Sequence, residues 1–305
     1  MDKIIETLKN YDLAEISPVS LLRESGDNEV FVVGEKEKKI LRISKRLPIE
    51  DIKFEYEATK RLSDGGVIVP QWVMTKAGDF YTTIDGKVAV LFDFLNGHHI
   101  EVDKDHLPTK EQAYNAGRGL GLMSNAAASF TSSSPRKRNI FTELERAVAL
   151  IDVFSEQFEG GKDFVEQVKK AITFGKNQTE IEGFIHNDYR PSNVFFNEKD
   201  EFAGIIDFDW SCAGPVIKDL ALAVVEWSFP DGATEPDFEV FDSFLNGYNS
   251  VADKKWIKEE LYPWIRFATL SDAATYFCDL ADDPTSTKRI IKSYMYRKYL
   301  FFSNI

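Results

Sequence analysis

Cysteine is scarce in this 305-residue chain, which has only Cys212 and Cys278. Two cysteines build no disulfide framework, so a small secreted scaffold is excluded and a reducing, cytoplasmic compartment is expected. Long apolar runs are missing too. None approaches the ~18 residues that a membrane-crossing helix needs, so no membrane association is expected. The opening stretch MDKIIETLKNYDL carries charges every few residues and lacks the apolar core of a secretory leader. Without secretion, the N-Q-T at 177–179 reads as a chance match to a glycosylation acceptor. Basic charge is in deficit: 37 Lys and Arg stand against 50 Asp and Glu, a net charge of -13. That balance repels nucleic acid and anionic lipid. It favours a cationic small molecule, and it equally serves solubility. Four histidines (His98, His99, His106, His186) and two scattered cysteines make no zinc pattern. G-x-x-x-x-G-K-[ST], G-x-S-x-G and H-E-x-x-H are all absent. DLADDP at 279–284 lacks EF-hand spacing and reads as a solvated acidic loop.

What is present supports a substantial core: 43% hydrophobic residues, including 24 Phe. The length suits roughly two domains or lobes. A short amphipathic helix opens the chain. Three segments of strand character follow, VSLLRES (19–25), EVFVVGE (29–35) and KKILRISK (38–45), separated by turn residues as in consecutive hairpins. Residues 49–66 read as a helix stopped by Gly65 or Gly66. Residues 79–95 read as a hairpin turning at Asp85-Gly86. Beyond Gly97 the texture becomes mostly helical. TSSSPRKR at 131–138 reads as a short polar loop or a mobile connection.

The chemistry concentrates in FIHNDYRPSNVFFNEKDEFAGIIDFD, residues 184–209. Pro191 disfavours a helix through Arg190, and Asn187, Asp188 and Ser192 prefer turns. His186 to Asn193 is therefore expected as a loop between the apolar runs GFI and VFF. FAGIIDFD is expected as a strand paired with VFF through the turn NEKDE, which would place Asp207 beside that loop. Such a cluster suits phosphoryl transfer. A Mg²⁺ ion takes hard oxygen ligands, here Asn193 and Asp207, while a separate carboxylate, Asp188, orients the hydroxyl and takes its proton. H-x-D-x-x-x-x-N followed by D-F matches the catalytic loop and metal-binding Asp of kinases.

The run FIHNDYRPSNVFF…IIDFDWSCAGPVIKDLALAVVEW resembles the aminoglycoside phosphotransferase/choline kinase family. The strong motifs cover 184–227, with weaker agreement over the strand-rich N-terminal part. The resemblance implies an α+β, bilobal protein-kinase-like fold. Residues 1–92 would be an antiparallel nucleotide-binding lobe, 93–97 a hinge, and 98–305 a helical catalytic and substrate-binding lobe. It implies ATP and Mg²⁺ as cofactors. Arg42 would contact the nucleotide phosphates, where a protein kinase has Lys, and Glu55 would pair with it, with Glu57 as the rival. Ser25 and Asn28, in the turn with Gly26 and Asp27, would cover the phosphates with backbone N–H groups. Backbone groups near Asp93, Phe94 and Leu95 would meet adenine, with Phe92 walling the pocket. His186 and Asp219 would brace the catalytic loop. Arg190 would approach the transferred phosphate or lie on the surface. Asp209 would stand beside the metal or face the substrate.

Only eleven residues separate Asp207 from Asp219, D-F-D replaces D-F-G, and no A-P-E follows. That leaves little chain for a peptide-docking platform, so a small acceptor is expected. The resemblance extends to choline, ethanolamine, homoserine and aminoglycoside kinases, whose acceptors carry a hydroxyl and a cationic amine. Candidate acceptor contacts are Glu226, Asp272 and Asp279, with Trp227, Trp264 and Tyr276 available for cation–π contact. Two other readings are an ATP-binding pseudoenzyme or regulatory module of the same fold, and a hydrolase with paired carboxylates. The first gains no support, since Asp188, Asn193 and Asp207 are all filled. The second needs neither Asn193 nor the D-L-A segment.

Overall fold

The computed structural model describes residues 2–25, 27–150, 152–153, 160–178, 180–280 and 293–305. A five-stranded antiparallel sheet occupies the N-terminal part. Its strands are β1 (Val19–Glu24), β2 (Asn28–Val33), β3 (Lys39–Ser44), β4 (Thr82–Ile84) and β5 (Lys87–Asp93), in the order β1-β2-β3-β5-β4. The β4–β5 turn falls at Asp85 and Gly86, both with positive φ (51° and 77°), the turn hand that suits strand twist.

Strand alternation gives this sheet two buried faces. Leu41 and Ile43 join Phe31, Val33, Leu91 and helix α1 (Asp2–Leu8) on one face. Val90 and Phe92 join Ile52 of helix α2 (Ile49–Asp64) on the other. Arg42 lies between Leu41 and Ile43 in β3 and pairs in register with Val90. It is therefore turned towards α2 and its buried Glu55. Gly65 caps α2, as its sequence predicts.

Beyond β5, Gly97 adopts φ 138°, and an added Cβ there would stand 2.6 Å from the Phe196 carbonyl. That close approach lets His98 pair with Phe196 through two backbone hydrogen bonds of 2.9 and 2.8 Å. The linking segment is thereby tied to a short strand pair, β7 (Val194–Phe196) with β8 (Phe202–Ile205). A second pair, β6 (Gly183–Ile185) with β9 (Cys212–Gly214), lies in the same region. Around these pairs stand α3 (Lys110–Ala127), α4 (Thr142–Ala149), α5 (Gly161–Gln178), α6 (Val216–Ser228), α7 (Phe238–Val251), α8 (Lys258–Leu280) and α9 (Tyr294–Phe302). Trp227, Tyr189, Phe196 and Phe244 pack together in the main core.

The 131–138 segment is a loop, one of the two readings its sequence allows, and it is pinned rather than mobile. Ser132 and Ser133 bond the Glu57 carboxylate, and Arg136 is buried against four backbone carbonyls. The acidic stretch 281–284 lies outside the described residues, as does the side chain of Asp279.

Candidate active site

The loop after β6 is held from behind by Asp219. Its two carboxylate oxygens accept from the backbone N–H groups of His186 and Asn187, each at 2.8 Å. Asn187 takes a positive φ of 64°, a conformation Asn tolerates better than most residues. The His186 ring donates from Nε2 to the Ile206 carbonyl at 3.0 Å. Burial lowers its pKa, so the ring is neutral. The backbone of this loop is thus fastened to α6 on one side and to the strand end before Asp207 on the other.

Asp188 follows directly. Its carboxylate accepts from Arg190 Nε at 2.6 Å and from Asn193 Nδ2 at 2.9 Å. Burial pushes its pKa up to about 7, outweighing the Arg190 charge, and nearby Asp207 and Glu226 add to the rise. Because Asn193 spends its amide N–H groups on Asp188, its carbonyl oxygen stays available. Ile206 N–H donates to the Asn193 backbone carbonyl at 2.9 Å, which brings the two segments side by side.

Asp207 and Asp209 differ sharply. Asp207 sits at φ 68° and its carboxylate makes no hydrogen bond among the described residues. Burial and the Asp209 charge raise its pKa, while Arg42 opposes them. Asp209 accepts from Arg42 Nη1 at 2.7 Å and, through its other oxygen, from Asn28 Nδ2. Burial works against its charge, but Arg42 and Asn28 prevail and hold its carboxyl below the usual range. Both oxygens of Asp209 thus have donors, and Asp209, expected beside the metal or facing the substrate, is absent from the wall of the cavity beside the loop.

Arg42 meets Glu55 in a fork of two hydrogen bonds, Nη1 to Oε1 at 2.9 Å and Nη2 to Oε2 at 2.6 Å. Burial disfavours the guanidinium charge, but Glu55 and Asp209 outweigh that and raise its pKa. Glu57, the rival candidate, bonds Ser132 and Ser133 instead. Ser25 Oγ accepts from the backbone N–H of Asp27 and Asn28, forming a local turn. Gly26 lies outside the described residues. In the linking segment, Asp93 receives Lys39 Nζ at 2.8 Å, Lys38 sits over the Phe94 ring, and Leu95 rests against Gly204.

A cavity of about 420 Å³ opens beside the loop. Asp188, Arg190, Arg138, Lys218, Asp272 and Tyr294 are among its walls. Tyr276 also lines it, whereas Trp227 and Trp264 do not. Trp227 is fully buried among core aromatics, which corrects its expected role as an acceptor contact: its helix phase points it away from the cavity. Trp264 likewise packs on Phe174 and Phe267. Glu226 is absent from the cavity wall, and its Oε1 lies 3.9 Å from the buried Lys298 Nζ.

Arg136 and Arg138 escaped the sequence reading. Arg136 Nη1 donates to the carbonyls of Phe208, Asp209 and Ser211 at 3.0, 2.9 and 2.7 Å, and Nη2 to that of Asp51 at 3.0 Å. It staples the segment after Asp207 to the start of α2. Arg138 donates to the Asp209 carbonyl at 3.1 Å and stacks 3.9 Å over Trp210. The P-R-K-R spelling was visible, but the acceptors are main-chain atoms some 70 residues away and leave no pattern.

Among the described residues no group of three or more His, Cys, Asp or Glu would hold a metal unaided. The oxygens of Asn193 and Asp207 are a sparse, hard donor pair. That fits a divalent cation completed by phosphate oxygens and water.

A family model described as the phosphotransferase enzyme family matches residues 19–253. Among curated relatives, a homoserine kinase of Caulobacter vibrioides is 27% identical over 288 residues, covering 91% of this chain and 86% of its own. One of Neisseria meningitidis serogroup B is 27% identical over 251 residues, covering 82% and 79%. Among solved structures, the amicoumacin kinase hAmiN in complex with AMP-PNP, Ca²⁺ and Ami superposes with a TM-score of 0.76. It is 14% identical, covering 99% of this chain and 93% of its own. A microcompartment-associated aminopropanol kinase gives 0.67 at 18% identity, covering 98% and 95%. At these identities the structures speak for a shared protein-kinase-like fold.

Proposed function

This chain belongs to the phosphotransferase enzyme family and is an ATP-dependent kinase of a small hydroxyl-bearing molecule, and we propose that Asp188 is its catalytic base. The acceptor hydroxyl enters from the cavity and attacks the γ-phosphorus as the bond to the bridging oxygen breaks. ADP leaves, and the hydroxyl proton passes to an Asp188 oxygen. The observation that carries this reading is the Asn193–Asp188 hydrogen bond of 2.9 Å. It fixes the base and leaves the Asn193 carbonyl oxygen free for a cation, on a segment whose backbone is bonded to Ile206, the residue before Asp207.

Asn193 and Asp207 would hold the divalent cation, which we propose is Mg²⁺. Bound there, it would neutralise charge on the phosphate oxygens. Arg42, fixed by Glu55 and Asp209, directs positive charge towards the phosphates. Arg190 shields Asp188 and reaches the transferred group. The Ser25–Asn28 turn covers the phosphates, and the backbone of Asp93, Phe94 and Leu95 receives adenine. His186 and Asp219 keep the loop in place. In this reading 1–92 is the nucleotide-binding lobe, 93–97 the hinge and 98–305 the acceptor-binding lobe. ATP dependence and low cysteine content support a cytoplasmic location.

The acceptor, we propose, also carries an amine. Asp272 on the cavity wall supports this, as do relatives named for homoserine and aminopropanol. A screen of ADP release with Mg·ATP over hydroxylated amines, amino acids, aminoglycosides and plain sugars tests the reading. Turnover with an amine-bearing acceptor is expected. ATP binding without phosphate transfer to any acceptor would favour the pseudoenzyme alternative.

A further inference from the structure

The cavity wall carries both signs of charge, and most of it is internally balanced. Glu143 is paired with Arg146 at 3.4 Å, Asp231 with Arg297 at 2.8 Å, and Asp188 with Arg190. Three wall charges have no opposite partner among the described residues: Lys218, Arg138 and Asp272.

Lys218 lies in the first turn of α6 and is only 3% exposed. Its ammonium donates to the side-chain oxygen of Asn187, a neutral acceptor. Withdrawing an ammonium from water without a paired carboxylate is costly, and burial lowers its pKa although Asp219, Asp272 and Asp188 oppose the shift. Arg138 stands on the same cavity, bonded to a backbone carbonyl and stacked on the Trp210 ring, with Glu143 and Arg46 also in its field. The carboxylate of Asp272, on α8, makes neither a hydrogen bond nor an ion pair among the described residues. Lys218 and Asp272 do not neutralise each other directly, although α6 and α8 pack together. Lys218 is bonded to the residue beside Asp188, so a group bound there shares the cavity with the reacting hydroxyl.

Resting on the kinase reading above, we propose that these residues form a two-ended site for a zwitterion. A carboxylate of the acceptor binds at Lys218 and Arg138, and its ammonium binds at Asp272. The acceptor class is then a hydroxylated amino acid. A polycation would be repelled by the first pair, and a simple amino alcohol would leave that pair unanswered. The other source of an anion for Lys218 is phosphate of the nucleotide, and the test separates the two.

The experiment uses matched triples that differ by one charged group. One is L-homoserine, 3-amino-1-propanol and 4-hydroxybutyrate. Another is L-serine, ethanolamine and 3-hydroxypropionate. A third is L-threonine, 1-amino-2-propanol and 3-hydroxybutyrate. Calorimetric Kd and Mg·ATP-dependent ADP release are both read. In at least one triple the zwitterion should bind at least about tenfold more tightly than either partner, a modest demand for a site built around buried polar groups. Lys218→Met should reduce that preference over the amino alcohol to near parity, with nucleotide affinity kept and Lys218→Arg restoring part of it. Asp272→Asn should erase the preference over the hydroxy acid. Equal binding of amino alcohol and amino acid by the wild-type protein overturns the proposal, and needs no variant to fold. So does binding of aminoglycosides with no triple bound. A Lys218→Met variant that loses nucleotide affinity and all acceptors alike assigns the anion to phosphate, and also overturns it. Zwitterion binding without ADP release would support the site while sinking the transfer reaction.

Discussion

Asn193 donates one N–H to the Asp188 carboxylate at 2.9 Å and another to the Asp188 backbone carbonyl at 2.9 Å. One side chain thus links the candidate base to the candidate metal site. Asp188→Asn keeps an oxygen to accept from Asn193 but loses proton affinity. The expected outcome is a fall in kcat of about 10²–10⁴-fold, the usual worth of a general base. ATP affinity should stay nearly unchanged. Steady-state kinetics with equilibrium nucleotide binding check both, and wild-type turnover would remove Asp188 as the base.

Asp207→Asn should act on a different quantity. Its unbonded carboxylate is the better of the two proposed metal ligands, so the divalent-cation concentration needed for half-maximal nucleotide binding should rise at least about tenfold. Titration of Mg²⁺ against a fluorescent nucleotide reads this directly. Unchanged Mg·ATP affinity would reject the ligand role.

Arg136 gives a stability prediction. Arg136→Met would leave the Ser211 carbonyl without its donor and remove one donor each from the carbonyls of Asp51, Phe208 and Asp209, of which Phe208 keeps Ser211 and Asp209 keeps Arg138. An orphaned buried carbonyl costs about 1–3 kcal/mol, with partial rescue by water. A loss of about 1–3 kcal/mol is expected in urea unfolding. Arg136→Lys should recover little, because an ammonium cannot span the same fork of acceptors.

The site was legible in the sequence where its parts sit close together along the chain. Asp188 and Asn193 are five residues apart, and turn-forming neighbours announce the loop between them. The Arg42–Glu55 partnership was reachable only through family resemblance, since sheet register and helix phase together decide which glutamate faces the strand. Trp227 was misjudged because adjacency to Glu226 says nothing about which way a helix turns it. Lys218 passed unnoticed inside K-D-L-A, where the following aspartate explains the motif. The 131–138 stretch was legible as a loop but not as a pinned one: a polar spelling does not reveal that backbone carbonyls elsewhere need donors.

The Arg42–Glu55 fork is buried, with side chains 8% and 3% exposed. Removing one partner of a buried pair costs about 3–5 kcal/mol where the other charge is stranded, and less here, because Asp209 still meets Arg42 at 2.7 Å. Glu55→Gln should therefore lower the unfolding midpoint. It should also weaken nucleotide binding, since Arg42 is then held by Asp209 alone. Glu57→Gln should leave nucleotide affinity unchanged, because Glu57 bonds Ser132 and Ser133. Equal loss of affinity in both variants would contradict the assignment of Glu55.

Asp272 supplies the pH prediction. Burial and then Glu226 raise its pKa to about 6, against the pull of Arg190, Lys218 and Lys298. Tyr294 of α9 shares this charge field. Above about pH 6 Asp272 is charged and attracts an ammonium; below it the carboxyl is neutral. Acceptor affinity measured without nucleotide should therefore weaken as pH falls through 6, by about tenfold for each further unit. Stability carries the opposite sign. The unfolded chain gives up this proton first, near its ordinary value of 3.8, so the empty fold loses stability as pH rises from there to about 6. Asp272→Asn should flatten both dependences. Asp188 titrates near 7 and would confuse a kcat profile, so affinity is the quantity to follow. A wild-type affinity that is flat between pH 5 and 7 would show that Asp272 does not hold the acceptor's ammonium.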